Sequence, residues 1–408
     1  MMAAGTTTGY AAGEQTNTSP VDYAQEITYN TPPAGTYQRL RITGESVAAQ
    51  DSTTALDEIN DLPETAETIL TARSTSGSIN GMLSYGTYDD FFAGILGADW
   101  GTTFFASQSS GATLNPRPDG ATCNIKLFTA DSITGQYVSR SFVSVTGFSN
   151  PANNGIFLLD VCGYNPDTAP NSIVIRIFNP NCVNETATGR VTVKSLDLIN
   201  ANTDKTYTLR KKLAGQWQVF SGLMVNQIQI QLQKGQTPTV QIDFIGSDMS
   251  ITSVDISSAV NAVTTSPLMD VVSGFLGCSI FGAKPAGCIQ SATITLARDG
   301  AAQDTGMGHV GACGVQFGAF KASMDIEYFF KDYTEFLAWQ AGQTGVVWVG
   351  IQGSDGYGYQ FAILNGQIFN PKNPTSGKNS TIVTTISVTG NPLPGGGTFG
   401  MTRLTPSS

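Results

Sequence analysis

This sequence predicts a mainly β protein in which one β-rich fold occurs twice, and three observations carry that reading. Apolar and polar residues alternate with period two in several long runs. Only two short segments show a helical period. Those segments, with the strands around them, resemble each other at a constant spacing of 245 residues. The expected architecture is two tandem β-sandwich or β-barrel folds, each flanked by a short α-helix, plus a small inserted β module.

Taken in order, residues 1–36 read as an extended N-terminal arm. The first fold is expected over 37–118 and 200–255. Within it, "LDEINDLPETAE" gathers Asp57, Glu58, Asp61, Glu64 and Glu67 between two strand signals. No aromatic residue accompanies these acids, as a glycosidase cleft would require, so a solvated or subunit-contacting loop is expected. In "GTYDDFFAGILG", Thr87 is placed to cap a helix with Asp90 three residues on. Tyr88, Phe91, Phe92, Ile95 and Leu96 share one face of that helix, and Gly97 ends it.

About a hundred residues then separate Gly97 from the next strong strand, near Tyr207. They contain short strand signals broken by Asn-Pro, Asn-Gly and Gly, which predicts a separate β module over 119–199. "NQIQIQLQ" alternates Ile228, Ile230 and Leu232 with glutamines. "VQIDFI" repeats the alternation with Val240, Ile242 and Phe244. The second fold is expected over 256–390. There, "SMDIEYFF" puts Met324, Ile326, Tyr328 and Phe330 opposite Asp325 and Glu327. "KDYTEFLAWQAG" repeats the helix, with Asp332 and Glu335 in the capping positions, Tyr333, Phe336 and Leu337 on the face, and Gly342 as the stop. Aligned without gaps, 78–97 and 323–342 share Ser, Tyr, Phe, Ala and Gly at five positions. Residues 391–408 read as a C-terminal tail.

Composition narrows the function classes. Only 13% of the 408 residues are charged, against a usual roughly 25%, so neutral amides and hydroxyls supply much of the wet surface. The net charge is −10, all of it carried by residues 1–100. An acidic chain gains nothing from counterion release on DNA, which argues against a conventional nucleic-acid binder. No apolar run reaches the length of a membrane span, and the N-terminus has no signal-peptide pattern, so cytoplasmic synthesis is expected. The six cysteines form no CxxC pair and read as reduced, mostly buried thiols.

The single histidine, His309, leaves little room for acid-base or nucleophilic catalysis. No G-x-S-x-G elbow, P-loop or zinc-protease spacing occurs. Gly395, Gly397 and Gly400 match a dinucleotide fingerprint, but too few residues follow to build its helix. The expectation is no enzyme, no cofactor, no metal and no catalytic residue. Trp217, Trp339 and Trp348, with "GSDGYGYQF", keep a carbohydrate-binding β protein as an alternative, although buried core positions account for them.

Residues 76–100, "SGSINGMLSYGTYDDFFAGILGADW", resemble the tail tube proteins of long-tailed, non-contractile, siphovirus-type bacteriophages. The specific stretch is Ser84, Tyr85, Gly86, Thr87, Tyr88, Asp89 and Asp90, where a strand leads into a short helix. "QRLRITGESV" resembles the opening strand of that family, "YTLRKKLAGQWQVFSGLMVNQIQIQLQ" its later strands, and "VSVTGFSNPANNGIFLL" a β module that some members carry as an insertion. Relatives often mix arginines with the acids of the 51–76 loop; here acids dominate until Arg73.

The resemblance implies tail-tube-like folds in sixfold rings, stacked into a hollow tube that conducts DNA into the host. Two folds per chain imply a homotrimeric, pseudo-hexameric ring, with a hexamer as the alternative. It also implies a virion protein assembled in the bacterial cytoplasm. Its partners would be itself, the tail terminator, the tape measure and distal tail proteins, with double-stranded DNA passing without tight binding and no membrane contact. The acidic loop would face the lumen or the next ring, and the lumen wall would be acidic or neutral. The rival within the same class is another virion or cell-surface β protein, such as a capsid decoration or pilus-like subunit.

Overall fold

The computed structural model describes residues 16, 19–56, 67–138, 140–164, 171–375, 377–394 and 396–406. The chain is mainly β, with two short α-helices among the described residues, α1 (Asp89–Leu96) and α2 (Thr334–Gln340). The alternating runs form strands as expected. Ile228, Ile230, Val240, Ile242, Met324 and Ile326 are all buried, while the amides and acids between them stay partly or fully exposed.

Strand pairing in the first half of the chain recurs in the second. In the first fold the antiparallel order is Val21–Gln25, Tyr207–Leu213, Gln216–Gln233, Thr239–Gly246, Thr68–Met82, then Ala48–Ala55. In the second it is Phe275–Ile280, Thr344–Gln352, Gly358–Lys372, Val383–Gly390, Ala319–Phe329, then Ile289–Asp299. A further strand, Asp248–Thr252 or Phe399–Leu404, adds to the long strand of its fold. Val21–Gln25 and Phe399–Leu404 are therefore sheet strands, although the sequence places them in an arm and a tail. Each lies beside a strand distant in sequence, which a local pattern does not reveal.

The helices share their ends as well as their spacing. Tyr88 (φ −115°) and Tyr333 (φ −102°) precede the first turns, and Gly97 and Gly342 follow in the left-handed region at φ +59° and +62°. The expected cap at Thr87 does not form. Its hydroxyl bonds the Ser84 and Thr264 hydroxyls, and Asp90 accepts from the Tyr23 hydroxyl at 2.7 Å. Nor does Asp332 become the N-cap of α2: that position is Tyr333, which makes no side-chain cap bond, and Asp332, one residue earlier, accepts from the Thr334 N–H at 3.0 Å.

The interval between α1 and Tyr207 holds a nine-stranded sheet running from Phe104 to Ser195 with its own core, including Leu114, Ile125, Val145, Ile175 and Val193. Phe104–Gln108 and Thr113–Pro116 hydrogen-bond inside this sheet, so residues the sequence assigns to the first fold belong with the module. The module leans on the second fold. Ser144 donates to the Gln360 amide oxygen at 2.6 Å, and Trp348 packs with Phe142 and Ile156. Gly155 is needed there, because a Cβ would lie 2.5 Å from the Trp348 ring. Cys123, Cys162 and Cys278 are buried, but Cys288 and Cys313 are exposed, fewer buried thiols than expected.

Arg210 ties the N-terminal strand to the first fold. Its guanidinium is fully buried, stacks on Tyr37 and Trp217, and bonds Asp22 at 3.3 Å and Asp255 at 2.6 Å. At Asp255, desolvation opposes but is outweighed by the Ser257 hydroxyl and N–H and by Arg210, which hold the carboxyl down to about 2. A depressed acid stabilises the fold above its ordinary value of 3.8 and loses that contribution as pH falls through about 2. Asp255→Ala is therefore expected to unfold at lower urea than the parent at neutral pH, with the gap closing between pH 4 and pH 2.

Candidate functional site

The two folds join through one antiparallel ladder. Gln227–Gln233 of the first fold pairs with Ser291–Ala297 of the second, Gln227 opposite Ala297 and Gln233 opposite Ser291. The joint lines up four strands from each fold as one eight-stranded antiparallel run within the larger, eighteen-stranded sheet. Period two then sorts its side chains. One face buries Ile79, Ile228, Ile242, Leu296, Met324, Ile368 and Val388 in a core common to both folds.

The opposite face is wet and almost free of cations. It presents Ser78 and Asn80, Gln227, Gln229 and Gln231, Gln241, Thr293 and Thr295, Ser387 and Thr389, with Asp243, Asp325 and Glu327 among them. Neighbouring groups bond along it: Gln231 donates to Gln229 at 3.1 Å, Gln241 to Asp243 at 2.9 Å, and Ser291 to Glu327 at 2.9 Å. Its cations lie at strand ends: Lys321 pairs with Asp299 at 2.6 Å, and exposed Lys372 stands opposite Thr385. Such a face offers hydration and a weak negative potential, and among the described residues it holds no cluster of phosphate-binding cations.

The signature residues sit behind the joint and tie it together. Tyr85 packs against Tyr357 and Tyr359 of the second fold. Gly86, at φ +76°, donates its N–H to the Tyr359 hydroxyl at 2.8 Å. The Tyr359 hydroxyl in turn donates to Asp89, which also meets Arg403 at 2.5 Å. Burial pushes the Asp89 carboxyl above its ordinary value, against the pull of the Arg403 guanidinium and the Tyr359 hydroxyl. Tyr88 donates to the Arg41 carbonyl at 2.8 Å, and Tyr207 to the Asp90 carbonyl at 2.5 Å. Across the same seam Phe92 meets Tyr359 and Phe361 edge-on, and Arg298 donates to the Ile95 carbonyl at 2.9 Å. Sequence reading singled out Ser84 to Asp90 but missed Tyr359, Phe361 and Arg403, whose partners lie about 270 or more positions away.

Of the acidic loop, Asp57, Glu58, Asp61 and Glu64 lie outside the described residues. Glu67 is exposed, and its carbonyl accepts from the Leu56 N–H at 3.0 Å at the end of the 48–82 hairpin. Trp217 and Trp348 are buried, whereas Trp339 is 42% exposed on α2, contrary to the core position expected for it. Among the described residues no helix is long and apolar enough to cross a membrane.

A tandem β scaffold whose folds are welded edge to edge, with a hydrated amide face, defines a structural protein of the sheet-extending class. Residues 16–390 match the family model described as phage tail tube protein, and the chain belongs to that family. It is thereby a viral structural protein and a virion component that self-assembles with other tail proteins. Compared with curated proteins, the chain matches none.

The seam yields a paired expectation. Phe92→Ala removes a ring with no exposed surface and should cost about 3–5 kcal/mol. Its repeat counterpart Leu337 is 63% exposed, so Leu337→Ala should stay within about 0.5 kcal/mol in the unassembled chain. Urea unfolding of both variants below the assembly concentration checks the contrast.

Proposed function

We propose that three copies of this chain close a pseudo-hexameric ring, that the rings stack into the tail tube of a siphovirus-type phage, and that the tube conducts double-stranded DNA into the host. The observation that carries this reading is the eight-stranded run through both folds, with a wet, amide-rich, weakly acidic face. In the ring that face lines the lumen. A phosphate-binding side chain there would recur in every ring and its affinity would accumulate along the genome, whereas amides and carboxylates leave the DNA free to slide.

The chain then divides into two tube folds and an inserted module of about 104–195 that leans on the second fold. The module lies between α1 and the following strand, where the second fold has a short turn, so it decorates the ring without interrupting the sheet. The acidic loop around 57–67 contacts the adjacent ring at one end of the tube wall. Assembly takes place in the bacterial cytoplasm, with the tape measure inside, the terminator at one end and distal tail proteins at the other.

Negative-stain electron microscopy of the purified protein should show hollow tubes, and native mass spectrometry of the shortest assemblies should give multiples of three chains. At low ionic strength the tubes should not retain DNA on a filter. Solitary particles at high concentration, or salt-sensitive DNA retention, would sink the reading.

A further inference from the structure

We infer that the joint between neighbouring chains repeats the joint inside the chain, residue for residue, pairing 367–369 of one copy with 46–48 of the next. The inference rests on the ring reading above and specifies the surfaces that close the ring.

The register follows from the internal ladders. Ile228 opposes Ile242, which opposes Ile79; Ile368 opposes Val388, which opposes Met324. Ile228 and Ile368 are thus counterparts. Beyond Met324 lies Ile294, and beyond Ile79 lies Glu45, so those two are counterparts as well. The internal pairs Gln227–Ala297, Ile228–Leu296 and Gln229–Thr295 then translate into Gln367–Ala48, Ile368–Val47 and Phe369–Ser46 across chains. Burial agrees: Ile228, Leu296, Ile368 and Val47 all point into the core at 1% exposure or less.

Both edges are open. Among the described residues, Gly44–Glu45 and Ala48–Ala55 pair with Thr68–Met82 alone. The Gly358–Lys372 strand loses its neighbour on one side beyond Gln367, the partner of Thr344. Because the Ser46 N–H points inward to the Ser78 carbonyl, the next amide, Val47, points outward. In the lone chain that amide donates to the Glu45 carboxylate at 3.0 Å, itself held by Lys211 at 2.8 Å, which guards the edge until a neighbour arrives.

A second observation points to the same occupant. Tyr359 and Phe361 of the second fold meet Phe92 on α1, which is fully buried, yet its counterpart on α2, Leu337, is 63% exposed, and Tyr333 one turn before it is 61% exposed. An apolar helix face left bare beside an open strand edge fits the surface that a second copy presents.

Phe369→Cys with Ser46→Cys, in a Cys288→Ser, Cys313→Ser background, tests the register. Outward pointing of Val47 makes 369/46 a non-hydrogen-bonded pair, whose close Cα spacing of about 4.5 Å suits a disulfide. Mild oxidation of assembled tubes should link chains, ending at three per ring, and the diagonal pair Phe369→Cys with Ala48→Cys should link at least fivefold less. Leu337→Asp should leave thermal unfolding of the lone chain unchanged while abolishing tubes. Tubes that form without the 369/46 link, that favour the diagonal pair, or that tolerate Leu337→Asp would overturn this joint and leave the tube reading standing. Absence of tubes from the unsubstituted protein would instead remove the reading, and the joint with it.

Discussion

The ladder between Gln227–Gln233 and Ser291–Ala297 is the constraint on which the rest of the structure depends. Backbone hydrogen bonds between strand edges are indifferent to side-chain identity, so the register must come from elsewhere. It comes from period two: a slip of one residue would put Ile228, Ile230 and Leu232 into water and the glutamines into the core. The same alternation that welds the folds also sorts every amide onto one face. Joining and surface chemistry are consequences of a single pattern.

Behind the ladder, the seam is held by groups that tolerate little change. Buried Asp89 and Tyr359 form a polar cluster with the half-buried Arg403, and Phe92 fills the space beside it. Removing one partner of such a cluster leaves buried polar groups unpaired, so substitution at this seam is costly. The inserted module exploits a different property. It enters immediately after the left-handed Gly97, at a turn the second fold closes with only a few residues, and its nine strands pair among themselves. The common sheet therefore never depends on it.

Much of this was legible in the sequence, and what was not has a physical cause. Period two located the strands of the shared sheet, and the spacing of 245 located both helices and their glycine stops, because those signals are local. The strand at Val21–Gln25 and the one at Phe399–Leu404 escaped notice because each is specified by a partner far along the chain. Capping at α1 was misread because Thr87 found hydroxyl partners at Ser84 and Thr264 that outcompeted the helix end. α2 carries the expected apolar face, yet its exposure cannot be read from its own residues, because what covers a helix is set by strands far from it in the sequence. For the acidic loop, the sequence supplied a cluster, of which Glu67 alone falls among the described residues.

The most direct measurement is amide hydrogen exchange, followed by mass spectrometry, on the dispersed chain and on its assembled form. Peptides from 227–233 and 291–297 should be protected in both states, since their ladder lies within the chain. Peptides from 44–48 and 368–372, whose inward amides are already paired within the chain, should gain protection on assembly at their outward amides, Val47 among them. Protection at 44–48 and 368–372 that is the same in both states would contradict the claim that one ladder, repeated from chain to chain, builds the wall.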